Sequence, residues 1–212
     1  MKKTITIKKI LLALVGIFFV SLGVAFNNCA GWGNDSIGMV YDGMRVAFGM
    51  TAEQLGMASN VVNIVLVLVL FALARRYVSV GTFVYLIPYG TFVGIGSYLY
   101  SVIFISDAAW VRVLGSVIGC LLLCVGVAIY IVLDIGVDPF TGIVLYLTDV
   151  TKKEYRFVKI AFDVSAVVVG TVLGGKLGAV TFITAIVVGP LIQWITQWLR
   201  RSRHLQAIIS GE

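Results

Sequence analysis

Six long apolar stretches, at about residues 9–27, 54–75, 79–104, 111–133, 155–174 and 178–199, constrain what this chain can fold into. The hydrocarbon core of a bilayer is about 30 Å thick, and a helix of about 20 residues crosses it. Each stretch has roughly that length. Lipid leaves no water to satisfy a backbone N–H or C=O, so a chain of this kind crosses as helix. The composition agrees: 60% of the residues are apolar and 12% are charged, where a soluble domain carries about 25% charged residues. Sixteen basic and 10 acidic side chains in 212 residues are too few to clothe a water-soluble surface. An ordinary soluble enzyme, a disordered chain and a nucleic-acid binder are therefore excluded, and membrane lipid is the expected surrounding.

Lys2, Lys3, Lys8 and Lys9 precede the first apolar stretch, in the manner of a signal sequence, and Cys29 follows it. Asn27 and Asn28 stand where small or apolar residues would precede a lipoprotein cysteine, and no small-x-small cleavage site follows. The first stretch is read as a retained span. With the N-terminus inside and six crossings, 13 of the 16 Lys and Arg fall on the inner side. Arg45, Arg112 and Lys176 fall outside. The positive-inside rule then places both termini in the cytoplasm, with the basic tail 200–212 among them.

Two shorter segments, Ser36 to Phe48 and Pro139 to Thr148, are too short to span. The first follows Gly33-Asn34-Asp35 and stops at Gly49; the second follows Gly136-Val137-Asp138 and opens on Pro139. Asp or Ser before a helix, proline at its first position and glycine after it are start and stop signals. Both segments are expected to be short helices that lie at the interface or re-enter partway.

The two halves of the chain resemble each other. Gly23-Val24-Ala25 matches Gly126-Val127-Ala128 at an offset of 103, and Gly33-Asn34-Asp35-Ser36 matches Gly136-Val137-Asp138-Pro139 at the same offset. Thr82-Phe83 matches Thr181-Phe182, and Gly90 matches Gly189, at an offset of 99. Asn63 and Asp163 take equivalent depths if the offset there is 100. Each half holds an odd number of spans, so the halves must be antiparallel. The expected fold is all-α and polytopic: six transmembrane helices as two inverted three-helix repeats, 1–106 and 107–199, each with a short half-helix after its first span. Inverted repeats are a recurring plan of secondary transporters, although a duplicated scaffold would look the same in sequence.

Few residues can carry chemistry. Asp163 lies half-way along the fifth stretch, where an ionisable group costs on the order of 3 kcal/mol. It could bind a proton, a cation or an amine, or simply pair with Lys159 one turn earlier. Asn63 is a partner candidate or a helix–helix hydrogen bond. Asp35, Ser36 and Asp138 either cap their short helices or help the helix N-termini attract an anion or carboxylate. Trp32 lines an entrance or anchors its turn. Tyr85 and Tyr89 flank Pro88 and could offer hydroxyls to a cavity. Pro88 and Pro190 are expected to interrupt their helices, and Gly90, Gly94 and Gly96 to permit close helix approach. Trp110, Trp194 and Trp198 read as interfacial anchors. Cys29, Cys120 and Cys124 form no disulfide framework. His204 is the only imidazole, so no triad, zinc or haem motif is present; neither enzymatic activity nor a cofactor is expected.

These residues carry a resemblance. The chain resembles the YczE/YitT-like family of bacterial multi-pass membrane proteins over about residues 10–199, through Gly23-Val24-Ala25 with Gly33-x-Asp35-Ser36, Gly126-Val127-Ala128 with Asp134 to Pro139, the Gly174-Gly175-x-x-Gly178 turn, and Gly189-Pro190. The resemblance implies a bacterial inner-membrane protein with a transport or supporting role. In size and span count the chain is also similar to the substrate-binding subunits of energy-coupling-factor vitamin transporters. The expected function is a small-solute secondary transporter or exporter of the cytoplasmic membrane, working by alternating access, its unknown solute coupled to a proton or cation. The alternatives are such a vitamin-binding subunit or a non-transporting scaffold. Glycine-rich faces permit a homodimer without demanding one.

Overall fold

The computed structural model describes residues 6–106 and 108–201, and these form helices joined by turns. Lys2, Lys3, Arg203, His204 and most of the 200–212 tail lie outside the described residues. Among the described residues, eight α-helices follow one another: α1 (Ile7–Ala30), α2 (Ser36–Ala47), α3 (Leu55–Leu73), α4 (Val80–Ile103), α5 (Ala109–Leu133), α6 (Pro139–Thr151), α7 (Tyr155–Val172) and α8 (Ala179–Arg201). The six apolar stretches become α1, α3, α4, α5, α7 and α8, with ends displaced by a few residues. Five of these are long and apolar enough to cross a membrane: α1, α3 with its preceding 3-10 turn, α4, α5 and α8. α7 differs because it has 18 residues and carries Arg156, Lys159 and Asp163. At 1.5 Å per residue it is about 27 Å long. Large apolar side chains cover the outside of the molecule, among them Ile87, Val172 and Ile186, each at least 74% exposed. Water would not tolerate that surface, whereas lipid does.

The short helices start as their sequences predict, with one exception. Asp138 caps α6, its carboxylate accepting from the Thr141 N–H at 3.0 Å and the Thr141 hydroxyl at 2.5 Å. Asp35 occupies the corresponding place before α2 but makes no capping hydrogen bond. Gly31, with φ of 70°, ends α1 by turning its N–H back to the Asn27 and Asn28 carbonyls, a conformation that costs glycine little.

α1 packs against α5 and α4, and α5 also packs against α8. α2 lies on α7 and α3, while α6 lies on α3 and α7. The α1–α5 contact is close because glycines meet backbone. A Cβ on Gly23 would stand 2.6 Å from the Gly119 oxygen and the Leu123 nitrogen. One on Gly126 would stand 2.4 Å from the Gly16 oxygen and 2.5 Å from the Val20 nitrogen. Adding 103 to Gly16, Val20 and Gly23 gives Gly119, Leu123 and Gly126. Each contact is therefore the other with the two helices exchanged. The same exchange relates Met39 against Gly170 to Gly142 against Leu70, at offsets of 103 and 100.

Some expected helix features are absent. α4 and α8 run through Pro88 and Pro190 without a break. A Cβ on Gly94 or Gly189 would meet nothing within 4 Å, so neither marks a close approach. Gly90 does, lying against Asn60, and so does Gly96, lying against Ala25 and Leu22. Trp110, Trp194 and Trp198 are exposed near the ends of their helices, where the amphipathic indole suits a membrane interface.

Candidate functional site

α2 is too short to cross a membrane, and its first residue, Ser36, is half-buried. The Ser36 hydroxyl donates to Asp163 Oδ1 at 2.9 Å, joining α2 to α7 across 127 residues of sequence. Lys159 lies one turn before Asp163, and its Nζ stands 2.5 and 2.6 Å from the two carboxylate oxygens. The predicted pairing of Lys159 with Asp163 is thus present, and it lies at the N-terminus of α2. Each side chain of the pair is about one-third exposed.

Beside this contact, aromatic rings from five helices converge. Tyr85 stacks on Tyr89 with centroids 4.8 Å apart, and Tyr41 tilts against Tyr89 at 5.8 Å. Tyr41 also meets Phe140 edge-on at 6.0 Å, and Phe140 meets Phe162 at 5.9 Å. Tyr130 closes the group against Tyr85 at 5.7 Å, and its hydroxyl donates to the Gly81 carbonyl. Such edge-to-face and offset pairs contribute beyond the area they bury, by about 0.5–1.5 kcal/mol each. The Tyr41 hydroxyl donates to Asn63 Oδ1 at 3.1 Å. Asn63 is completely buried, and its Nδ2 has no hydrogen-bond partner.

Asp163, Ser36, Asp35, Asn63, Tyr85 and Tyr89 therefore belong to one region, with Asn63 and the tyrosines buried and the other three half-buried. Asp138 is committed to its cap. Trp32 sits elsewhere: its ring is exposed beside the Arg112 guanidinium, 5.7 Å away, and its carbonyl accepts from the Val180 N–H. Sequence reasoning missed Tyr41, Tyr130, Phe140 and Asn34. A tyrosine inside a helix too short to span was the available signal for Tyr41. Two open grooves are present, the first between α5 and α8 and the second sharing Phe162 with this region. One, of about 370 Å³, is lined by Ile131, Gly189, Ile192, Thr196 and neighbours. The other, of about 340 Å³, is lined by Leu147, Phe157, Phe162, Ser165 and neighbours.

A carboxylate on each short helix ties it to the hairpin turn of the other half. Asp42 of α2 is 1% exposed. It accepts from Arg45 at 2.7 Å and from the backbone N–H of Lys176, in the α7–α8 turn, at 2.8 Å. Asp149 of α6 pairs with Arg76 and accepts from the Tyr77 hydroxyl, both in the α3–α4 turn. The Asp149 pair is open to solvent, so salt screens it. The turns before the short helices follow the same pattern: the Asn34 N–H donates to the Thr181 hydroxyl, and the Thr82 hydroxyl donates to the Val137 carbonyl.

The Tyr77 hydroxyl, and after it the Arg76 guanidinium, hold the Asp149 carboxyl below its ordinary range. The same hydrogen bond pushes the Tyr77 phenol up. A depressed carboxylate contributes stability above the unfolded value of about 3.9 and loses it as pH falls through the folded value. Amide protection factors across Arg75 to Ser79 should therefore fall on acidification below about pH 4. Asp149→Asn should be poorly protected at every pH. A protection profile independent of pH in the unaltered protein would contradict this.

Residues 7–197 match the model of a family of unknown function, DUF6198. The chain belongs to DUF6198. The DUF6198 match takes in both short helices, the Ser36–Asp163–Lys159 contact and the aromatic group. An uncharacterized protein of Haemophilus influenzae is 24% identical to this DUF6198 chain over 203 residues, covering 96% of the chain and 88% of the relative. No solved structure matches it.

Proposed function

We propose that this DUF6198 protein is a small-solute secondary transporter or exporter. It crosses the cytoplasmic membrane six times as two inverted three-helix repeats, 1–106 and 107–199, with both termini in the cytoplasm. α7 is the fifth span in chain order, its length and charge tolerated because α2 and α6 cover the polar side. The exchange-related glycine contacts of α1 with α5, and of α2–α7 with α6–α3, support the repeat. No enzymatic activity is part of this reading.

The observation that carries the transport reading is the Ser36–Asp163–Lys159 contact. A hydroxyl at the N-terminus of a half-helix in one repeat donates to a carboxylate in the other, which a lysine also contacts. Half-helix N-termini facing a polar centre between repeats are where transporters bind solute. The two Asp-centred ties, at Asp42 and at Asp149, would lie on opposite faces of the membrane. Opening one while the other holds gives alternating access.

Proteoliposomes should move a member of a panel of amines, carboxylic acids and amino acids when a pH or sodium gradient is imposed. Asp163→Asn should reduce that movement at least about tenfold, the effect of losing about 1.4 kcal/mol at the site. If Asp163→Asn and Asp138→Ala both leave movement intact, the site assignment is wrong. If no solute moves under any gradient and the protein instead co-purifies with an ATPase or binds a vitamin tightly, the vitamin-subunit alternative takes its place.

A further inference from the structure

The interior holds a second carboxylate, which the Ser36–Asp163–Lys159 contact does not use. Asp35 immediately precedes α2, and its Oδ1 is buried with no hydrogen-bond partner. Its neighbour Asn34 is 2% exposed, and the Asn34 Oδ1 also lacks a donor. Both groups stand over Gly38: a Cβ there would lie 2.8 Å from Asp35 Oδ1 and 3.1 Å from Asn34 Cγ. The N–H groups of Ile37 and Gly38 face the same carboxyl without completing a cap.

The charged and titratable groups around Asp35 are Lys159 and Asp163 of α7, Cys120 and Cys124 of α5, and Tyr89 of α4. Lys159 is the cation among them, and its short contacts go to both oxygens of Asp163. Two carboxylates thus have one cation between them, and that cation is engaged. An ionised Asp35 would put a charge on a buried oxygen beside a cation already engaged by Asp163, a costly arrangement that proteins relieve by neutralising the group. It would also leave the Oδ1 atoms of Asp35 and Asn34, both groups standing beside Gly38, without a hydrogen-bond partner. A single proton answers both problems. It removes the charge and supplies an O–H that can donate to the Asn34 amide oxygen.

We infer that Asp35 is a proton-binding site, a neutral carboxylic acid whose O–H donates to Asn34 Oδ1. Its role as the site of the coupling ion rests on the transport reading; the protonation does not. The proton bound there comes from water and returns to water, so no other reactant is required.

Infrared spectra of the full chain in lipid bilayers, titrated between mildly acidic and alkaline pH, test this directly. At neutral pH the carbonyl stretch of a protonated carboxylic acid should be present and sensitive to deuterium exchange. It should vanish in Asp35→Asn and persist in Asp163→Asn and Asp138→Asn. Asn34→Leu, which removes the acceptor, should shift the band to the frequency of a less strongly hydrogen-bonded acid. A spectrum with no such band at neutral pH, or a band that survives Asp35→Asn, overturns the assignment. Should Asp35→Asn fail to fold, Asn34→Leu decides alone: a shifted band supports the site and an unmoved one overturns it. A band without solute movement in proteoliposomes removes the transport reading and leaves the site. Solute movement without the band removes the site alone.

Discussion

Gly126→Leu is expected to destabilise the protein by about 3 kcal/mol or more, the upper part of what overpacking costs. The reason is the nature of the obstacle. The first added carbon would lie 2.4 Å from the Gly16 carbonyl oxygen and 2.5 Å from the Val20 nitrogen. Both are backbone atoms of α1, and a helix backbone cannot turn aside as a long side chain can. α1 and α5 would have to separate, loosening the contacts at Gly16, Val20, Gly119 and Leu123 together. Unfolding of the detergent-solubilised protein by a denaturing detergent reads this as a shift in midpoint. Gly94→Ala is the matched control: its new Cβ meets nothing, and alanine favours helix over glycine by about 1 kcal/mol, so its midpoint should hold or rise. An unchanged midpoint for Gly126→Leu would refute the described α1–α5 contact. Gly23→Ala and Gly126→Ala provide a sharper comparison. Under the inverted-repeat reading they meet the same obstacle from opposite sides and should cost similar amounts.

The second large effect concerns charge. Asp163→Asn leaves Lys159, about one-third exposed, without its carboxylate. A lone cation at the centre of a membrane helix costs about 3 kcal/mol on insertion scales, and losing one member of a partly enclosed pair is costly for the same reason. Lys159 is one turn from the start of α7 and can extend its stem toward that end, which reduces the loss. A decrease of about 2–3 kcal/mol is expected for Asp163→Asn. The double variant Lys159→Met with Asp163→Asn should recover most of it, because no unpaired charge remains. Ser36→Ala removes a single hydrogen bond to a charged group, worth about 1.5–3 kcal/mol. The coupling between Lys159 and Asp163 follows from the double-mutant cycle. Equal losses in the single and double variants would mean that the pair does not hold α7 as described.

Much of the helix layout was legible before any coordinates. The six apolar stretches became six helices, and Pro139 with Asp138 opened α6 where a missing N–H and a capping carboxylate favour a start. Asp35 looked equivalent to Asp138, since both follow a glycine by two residues. The local pattern could not reveal that one caps and the other leaves an oxygen unanswered. Both preceding turns are held from afar, Asn34 by Thr181, a residue 147 positions away, and Val137 by Thr82, so the difference lies in the packing around each carboxylate. Glycines divided in the same way. Gly23 and Gly126 face backbone, whereas Gly94 and Gly189 face open space, and nothing in their immediate neighbours distinguishes the two kinds. Lys159 as partner of Asp163 was readable because an i,i+4 spacing brings side chains together on any helix. Ser36 as a third member of that contact was not, because it comes from another helix.

Residue order thus settled which segments are helical and how long they are, since lipid admits only segments that satisfy their own backbone, and that property is written along a single stretch of chain. It also singled out the few polar groups that such a medium makes costly. Which of them meet, and which oxygen is left without a donor, came from the pairing of distant helices. Those pairings are set by the fit of one glycine-lined surface against another, and such a fit exists in three dimensions without leaving a local mark on either strand of sequence.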